Sequence, residues 1–204
     1  MPDAAKPRES VSSNTHTRAL IEDAMIGLMA DGDRLNHDAV AERAGVSRRT
    51  VYRYFPDQDA LRHAAWARMS PGGRVPDTLD DLLGGLEERF AKFDRNAAAM
   101  TVALASADGR AMRNQMKAER ETAYRGMFGQ AVKALAEPDR TWAIAAIQLM
   151  SSGFVWREMR DQWDLDAHGM ATAANWAIDV LLADLRRRGD KPLATGAADR
   201  EDTS

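Results

Sequence analysis

Cysteine is absent from this 204-residue chain. That excludes disulfides, thiolate zinc sites and a cysteine nucleophile. Long apolar runs are missing too. No stretch approaches the ~18 apolar residues that a membrane span requires, and residues 1–14 are polar, without the apolar segment of a secretory signal. The expectation is a cytoplasmic protein with no membrane partner. The four histidines, His16, His37, His63 and His168, are scattered, with no metal-ligand spacing among them. No Gly-rich phosphate loop, HExxH pair or Gly-x-Ser-x-Gly elbow occurs, so no catalytic residue, metal or cofactor is expected. Asp80-Asp81 and Glu87-Glu88 are paired acids, but on an amphipathic helix they read as solvated face.

Strand signals are scarce as well. Alternating runs of Val, Ile, Thr and aromatics do not occur, nor does an Asn-Gly or Asp-Gly hairpin turn. Ala, Leu, Met, Glu and Arg, all good helix formers, dominate instead. With 45% hydrophobic residues a core can be buried, and the chain reads as all-α with no internal repeat. Residues 1–14, with Pro2, Pro7 and three serines, read as disordered. A first helix is expected from about Thr15 to Ala30, its apolar stripe Leu20, Ile21, Ala24, Met25 and Leu28. Gly32 marks its stop. A second helix follows the N-cap Asn36 and ends near Ala44. A third runs from about Arg48 to Phe55, capped by Ser47. Pro56 disfavours helical geometry at Phe55, and Asp57 can cap a fourth helix ending near Met69. Residues 70–76 hold two prolines and two glycines and read as a joint. Five longer helices should follow, over about 78–95, 97–107, 110–136, 140–162 and 166–188, giving about nine in all.

The informative segment is His37-Asp38-Ala39-Val40-Ala41-Glu42-Arg43-Ala44-Gly45-Val46-Ser47-Arg48-Arg49-Thr50-Val51-Tyr52-Arg53-Tyr54-Phe55. Two short helices crossing steeply need a small residue where they approach, which Ala41 supplies. The tight turn between them favours a residue tolerant of positive φ, which Gly45 supplies. Val40, Ala44, Val46 and Val51 fill the wedge. At roughly 100° per residue, Val51 and Phe55 share one face of the third helix, with Tyr54 beside them. Arg48, Arg49, Tyr52 and Arg53 lie opposite. No acid occurs from Ser47 to Phe55, so the local charge is positive inside a chain whose net charge is −3. A cationic stripe on a short helix of this geometry suits the DNA major groove.

The run Ala-Gly-Val-Ser, then Thr-Val-Tyr-Arg-Tyr-Phe, then Leu61, resembles the signature of the TetR family of transcriptional regulators over roughly residues 15–66. The resemblance implies a helix-turn-helix DNA-binding domain over 15–69 with its connecting helix. It implies an effector-binding and dimerisation domain over 70–188, while residues 189–204, polar with Gly, Pro and several acids, read as a flexible tail. Ser47, Arg48 and Arg49 fall where members contact bases and phosphates. Thr50 matches a backbone-contacting threonine, and Tyr52 and Tyr54 match a phosphate-holding pair. Arg53 completes the cationic face, Asn36 is a candidate phosphate contact or simply a cap, and Tyr54 can equally be packed inward. Gln58 stands where many members carry a phosphate-gripping lysine. His37 stands where an aliphatic residue is common, and is expected to put a polar edge on the domain.

The last two predicted helices carry more apolar surface than one face needs. Leu149, Gly153, Trp156, Ala173, Trp176, Ala177, Val180 and Leu181 are expected to form a homodimer interface, and the resemblance implies the same place. Two recognition helices on a two-fold axis would read a palindromic double-stranded operator. An apolar or aromatic small-molecule effector is expected among the middle helices. Its lining would come from Phe90, Phe93, Met100, Leu104, Met112, Met116, Tyr124, Met127, Phe128, Trp142 and Phe154, although such spacing also describes plain core. The resemblance implies a repressor released by that effector. A regulator without an effector, or an activator, satisfies the same residues.

Overall fold

The computed structural model describes residues 8–69 and 75–196, with side chains over 14–69 and 75–194. Among the described residues the chain is helical throughout, with twelve α-helices, one closing 3-10 turn and no strand. The described residues divide into two compact units, one of residues 8–69 and 95–115, the other of 75–94 and 116–196.

The first unit begins with α1 (Arg8–Ala30), followed by α2 (His37–Ala44), α3 (Arg48–Tyr54) and α4 (Gln58–Met69). Further along the chain, α7 (Ala97–Ala105) and α8 (Ala107–Gln115) join it. Helix α1 buries Ile21, Ala24, Met25, Leu28 and Met29 and packs on α2, α4 and α7. Leu20, expected on the same stripe, is exposed. Helix α7 is apolar nearly all round, as a helix enclosed by others must be, and buries Ala99, Met100, Ala103 and Leu104. Helices α4 and α8 are tied by Arg62 to Asp108 (3.2 Å) and by Gln115 to Asp59 (2.8 Å).

The second unit holds α5 (Leu79–Gly84), α6 (Leu86–Arg95, its last residue excepted), α9 (Lys117–Phe128), α10 (Asp139–Met150), α11 (Gly153–Trp163) and α12 (Ala167–Arg188). Its core includes Leu86, Phe90, Phe93, Phe128, Ile147, Trp156, Ile178 and Leu182. Some polar atoms buried there are paired, while Arg140 Nε and Asn175 Oδ1 have no partner among the described residues. Tyr124 Oη and Ser151 Oγ lie 2.6 Å apart, and Trp156 Nε1 donates to Asp94 at 2.8 Å.

Four expectations change. The helix count rises from nine to twelve because three long segments break. Gly85, a poor helix former, separates α5 from α6. Ser152 caps α11 by accepting from Val155 N and so competes with continuation of α10. The break at Met116 carries no side-chain cap, and nothing local explains it. Second, α1 starts at Arg8, so residues 8–14, expected to be disordered, are helical; residues 1–7 lie outside the described part. Third, the expected tail from 189 onward is partly anchored. Leu193 N donates to Asp139 Oδ2 at 3.2 Å and Arg188 donates to Pro192 O, which hold a 3-10 turn over Leu193–Gly196. The expected boundary near residue 70 also shifts, since α7 and α8 group with the first unit.

Candidate nucleic-acid interface

Helix α2 starts where Asn36 Oδ1 accepts from Asp38 N and Ala39 N, each at 3.0 Å. It ends at Gly45, whose φ of 65° places it in the left-handed region that side chains resist. Gly45 N donates to Glu42 O (3.2 Å) and Val46 N to Ala41 O (3.1 Å). This paired pattern satisfies the last carbonyls and turns the chain sharply. Ser47 then caps α3, its Oγ accepting from Thr50 N at 3.1 Å and lying 2.8 Å from Thr50 Oγ1. Val40, Ala41, Val51, Phe55 and Leu61 are buried beneath the two helices. Because α3 spends Val51 on that core, its remaining face is turned to solvent.

On that face Arg48, Arg49, Tyr52 and Arg53 are exposed and Thr50 is half-buried. Arg49 has no hydrogen-bond or ion-pair partner among the described residues. Arg48 donates to Tyr52 Oη (3.3 Å) and pairs with Asp38 (3.1 Å). Both neighbours hold its pKa above the ordinary value, the tyrosine hydrogen bond first. Arg53 lies over the Tyr54 ring, 5.0 Å from its centroid. The stripe is therefore cationic, exposed and mounted on a braced helix, which is what a phosphate-lined groove accepts.

Three of the candidate contacts are engaged within the protein, two of them, Asn36 and Tyr54, in ways the sequence also allowed. Gln58 Nε2 donates to Leu35 O at 2.6 Å, so its amide closes the loop before α2 and does not project as a phosphate grip. Tyr54 is half-buried and donates its hydroxyl to Asn14 on α1 (3.2 Å to the backbone oxygen). It serves packing first. Asn36 caps α2 with its oxygen and reaches Arg34 O with its amide (3.4 Å). His37 is corrected outright: it is 7% exposed, not a polar edge. Its Nε2 lies 2.8 Å from Phe55 O, and its ring stacks on Tyr52 at 3.9 Å and 6°. Sequence patterning missed both His37 and Asp38 as partners of α3. The available signal was a histidine where an apolar residue would suffice.

Residues 33–65 match the model of the bacterial regulatory proteins of the tetR family. The match covers α2, α3 and most of α4. A TetR transcriptional regulator from Rhodococcus sp. RHA1 is similar in structure with a TM-score of 0.48 and 21% identity, over 83% of this chain and 98% of that one. No curated protein matches the chain. The match over α2 and α3 supports a helix-turn-helix DNA-binding regulator. Among the described residues no helix is long and apolar enough to cross a membrane, and no group of three or more His, Asp or Glu is placed to hold a metal.

The second unit separates the remaining candidates. Trp176 is 70% exposed, Val180 49% and Leu149 45%, with Ala173, Ala177, Leu181 and Gly153 half-buried beside them. Trp156, expected with this group, is 0% exposed. Residues 149 and 156 would share a face of an unbroken helix, but the break at Ser151-Ser152 resets the phase and turns Trp156 inward. Of the expected effector lining, Phe90, Phe93, Met100, Leu104, Met112, Tyr124 and Phe128 are buried. Met116 and Met127 are half-buried, while Trp142 and Phe154 are exposed. They do not form one set: Met100, Leu104 and Met112 belong to the first unit and the others to the second. Trp142 instead borders a cavity of about 90 Å³ with Ile147, Leu181, Leu185 and Leu193.

Proposed function

We propose that the protein is a homodimeric repressor that binds a palindromic DNA operator through α3 and is released by a small apolar or aromatic molecule. The observation that carries the DNA half is the exposed Arg49, without a partner among the described residues, flanked by Arg48 and Arg53 on a helix whose other face is buried. Arg49 and Arg48 would read base edges, and Ser47, Thr50 and Tyr52 would hold the backbone. Dimerisation is supported by the exposed apolar band of α10 and α12, namely Trp142, Leu149, Trp176 and Val180. Such a band on a monomer would leave large side chains wet. In a two-fold dimer it would be covered, and two copies of α3 would face one duplex.

Support for the effector is a pair of polar groups within an apolar setting. Tyr124 and Ser151 hydroxyls meet inside the second unit. A few polar groups in an apolar surround are what a small-molecule site needs. One observation favours a regulator without effector: Phe90, Phe93, Tyr124 and Phe128 pack on one another or on Trp156, as core does.

The test is selection of bound duplexes from a random-sequence library by the full chain, followed by a thermal-shift screen for compounds that bind and release it. Enrichment of one two-fold symmetric sequence is expected, with Arg49→Ala or Tyr52→Ala weakening it about tenfold or more while the protein stays folded. Enrichment of nothing, or alanine variants that bind like wild type, would remove α3 as the reading helix.

A further inference from the structure

We infer that His37 is a positioning residue for the DNA-reading face: it fixes Tyr52 by stacking and ties it to the end of the recognition helix. The inference rests on the functional reading above. His37 opens α2, and its ring is almost wholly enclosed. One ring face lies parallel to Tyr52 at 3.9 Å. Its Nε2 faces the carbonyl of Phe55 at 2.8 Å. A carbonyl can only accept, so Nε2 carries the proton and donates.

That carbonyl needs a donor. Phe55 is the C-cap of α3, with extended backbone (φ −136°, ψ 91°), so its carbonyl has left the helical ladder. Pro56 follows without an N–H to offer. A leucine at position 37 would fill the same space but neither donate nor stack face to face.

Tyr52 is 39% exposed, so the stack leaves part of it open to solvent. Arg48 reaches the Tyr52 hydroxyl from its own turn of α3, and Asp38, next to His37, holds Arg48. The first two residues of α2 thus hold the first and fifth residues of α3. A side chain already fixed before DNA arrives loses less rotamer freedom on binding, which is worth roughly two- to tenfold in affinity per ordered side chain. His37 itself never touches DNA in this arrangement; it acts through Tyr52.

The experiment uses the full chain and the duplex that wild type enriches from random-sequence DNA. His37→Leu, His37→Phe and His37→Gln are compared in the wild-type and Tyr52→Ala backgrounds. His37→Leu should weaken binding roughly two- to tenfold, and His37→Phe, which keeps the stack, should recover part of the loss. In the Tyr52→Ala background His37→Leu should change affinity less than twofold. Independently of DNA, the Tyr52 ring-proton resonances should lose their ring-current shift in His37→Leu and keep one in His37→Phe. If His37→Leu unfolds, His37→Gln replaces it, keeping the donor and losing the stack. Equal affinity of His37→Leu and wild type overturns the inference, as does an equal loss in both backgrounds, which would mean a role in folding alone. A wild-type chain that enriches no duplex overturns the functional reading and takes this assignment with it.

Discussion

Trp156→Phe tests whether this indole is core or interface. The indole is fully buried, meets the Phe93 ring edge-on at 5.7 Å, carries Arg160 over its face at 4.4 Å and donates to Asp94 at 2.8 Å. Phenylalanine keeps the apolar body and loses the second ring and the donor. The space left is roughly 40 Å³, worth about 1 kcal/mol at ~24 cal/mol per Å³. Loss of a hydrogen bond to a charged acceptor adds about 1.5–3 kcal/mol, nearer the lower end because Asp94 is half-exposed. The expected destabilisation is therefore about 2.5–4 kcal/mol. Urea unfolding at fixed protein concentration, with sedimentation of the same samples, reads both quantities. Stability should fall by that amount while the sedimentation coefficient under native conditions does not change. A loss below about 1 kcal/mol, or dissociation of a dimer without loss of stability, would refute the placement of Trp156 inside the second unit.

Trp176→Glu should do the reverse, leaving each protomer folded by circular dichroism but monomeric by sedimentation; a persisting dimer would move the interface away from α12. Gly45→Ala should cost about 1 kcal/mol, since the left-handed conformation penalises a side chain by ~1–2 kcal/mol and the stiffer unfolded chain returns part of it. The added Cβ meets nothing within 4 Å, so a loss well above 2 kcal/mol would show a steric cost that this turn does not contain. Asp184 is held below the usual carboxylate range by hydrogen bonds from Arg188 and Arg187. A carboxyl with a depressed folded pKa adds stability above its unfolded value and loses it as pH falls through the folded one. Asp184→Asn should thus flatten the acid side of the stability profile by less than about 1 kcal/mol, given the partial exposure of the pairs. An unchanged profile would mean the pairs contribute nothing.

How much was legible in the sequence follows from the range of the forces concerned. Composition and 3.6-residue periodicity are local, and they determined the all-helical class. The motif from His37 to Phe55 determined the helix-turn-helix, because Gly45, Ser47 and Pro56 each act within a turn of themselves. The opposition of Val51 and Phe55 to the arginines is a property of one short helix, and so it too could be read directly. Only the tertiary structure decided the destinations of single polar side chains. Gln58 turned to Leu35 O, Tyr54 to Asn14 and His37 to Phe55 O. Each partner lies at least 18 residues away, and a hydrogen bond is made with whatever acceptor the fold brings near. The same holds for Trp156: one capping serine interrupted a helix, the helical phase was lost, and a side chain that periodicity put outside was buried.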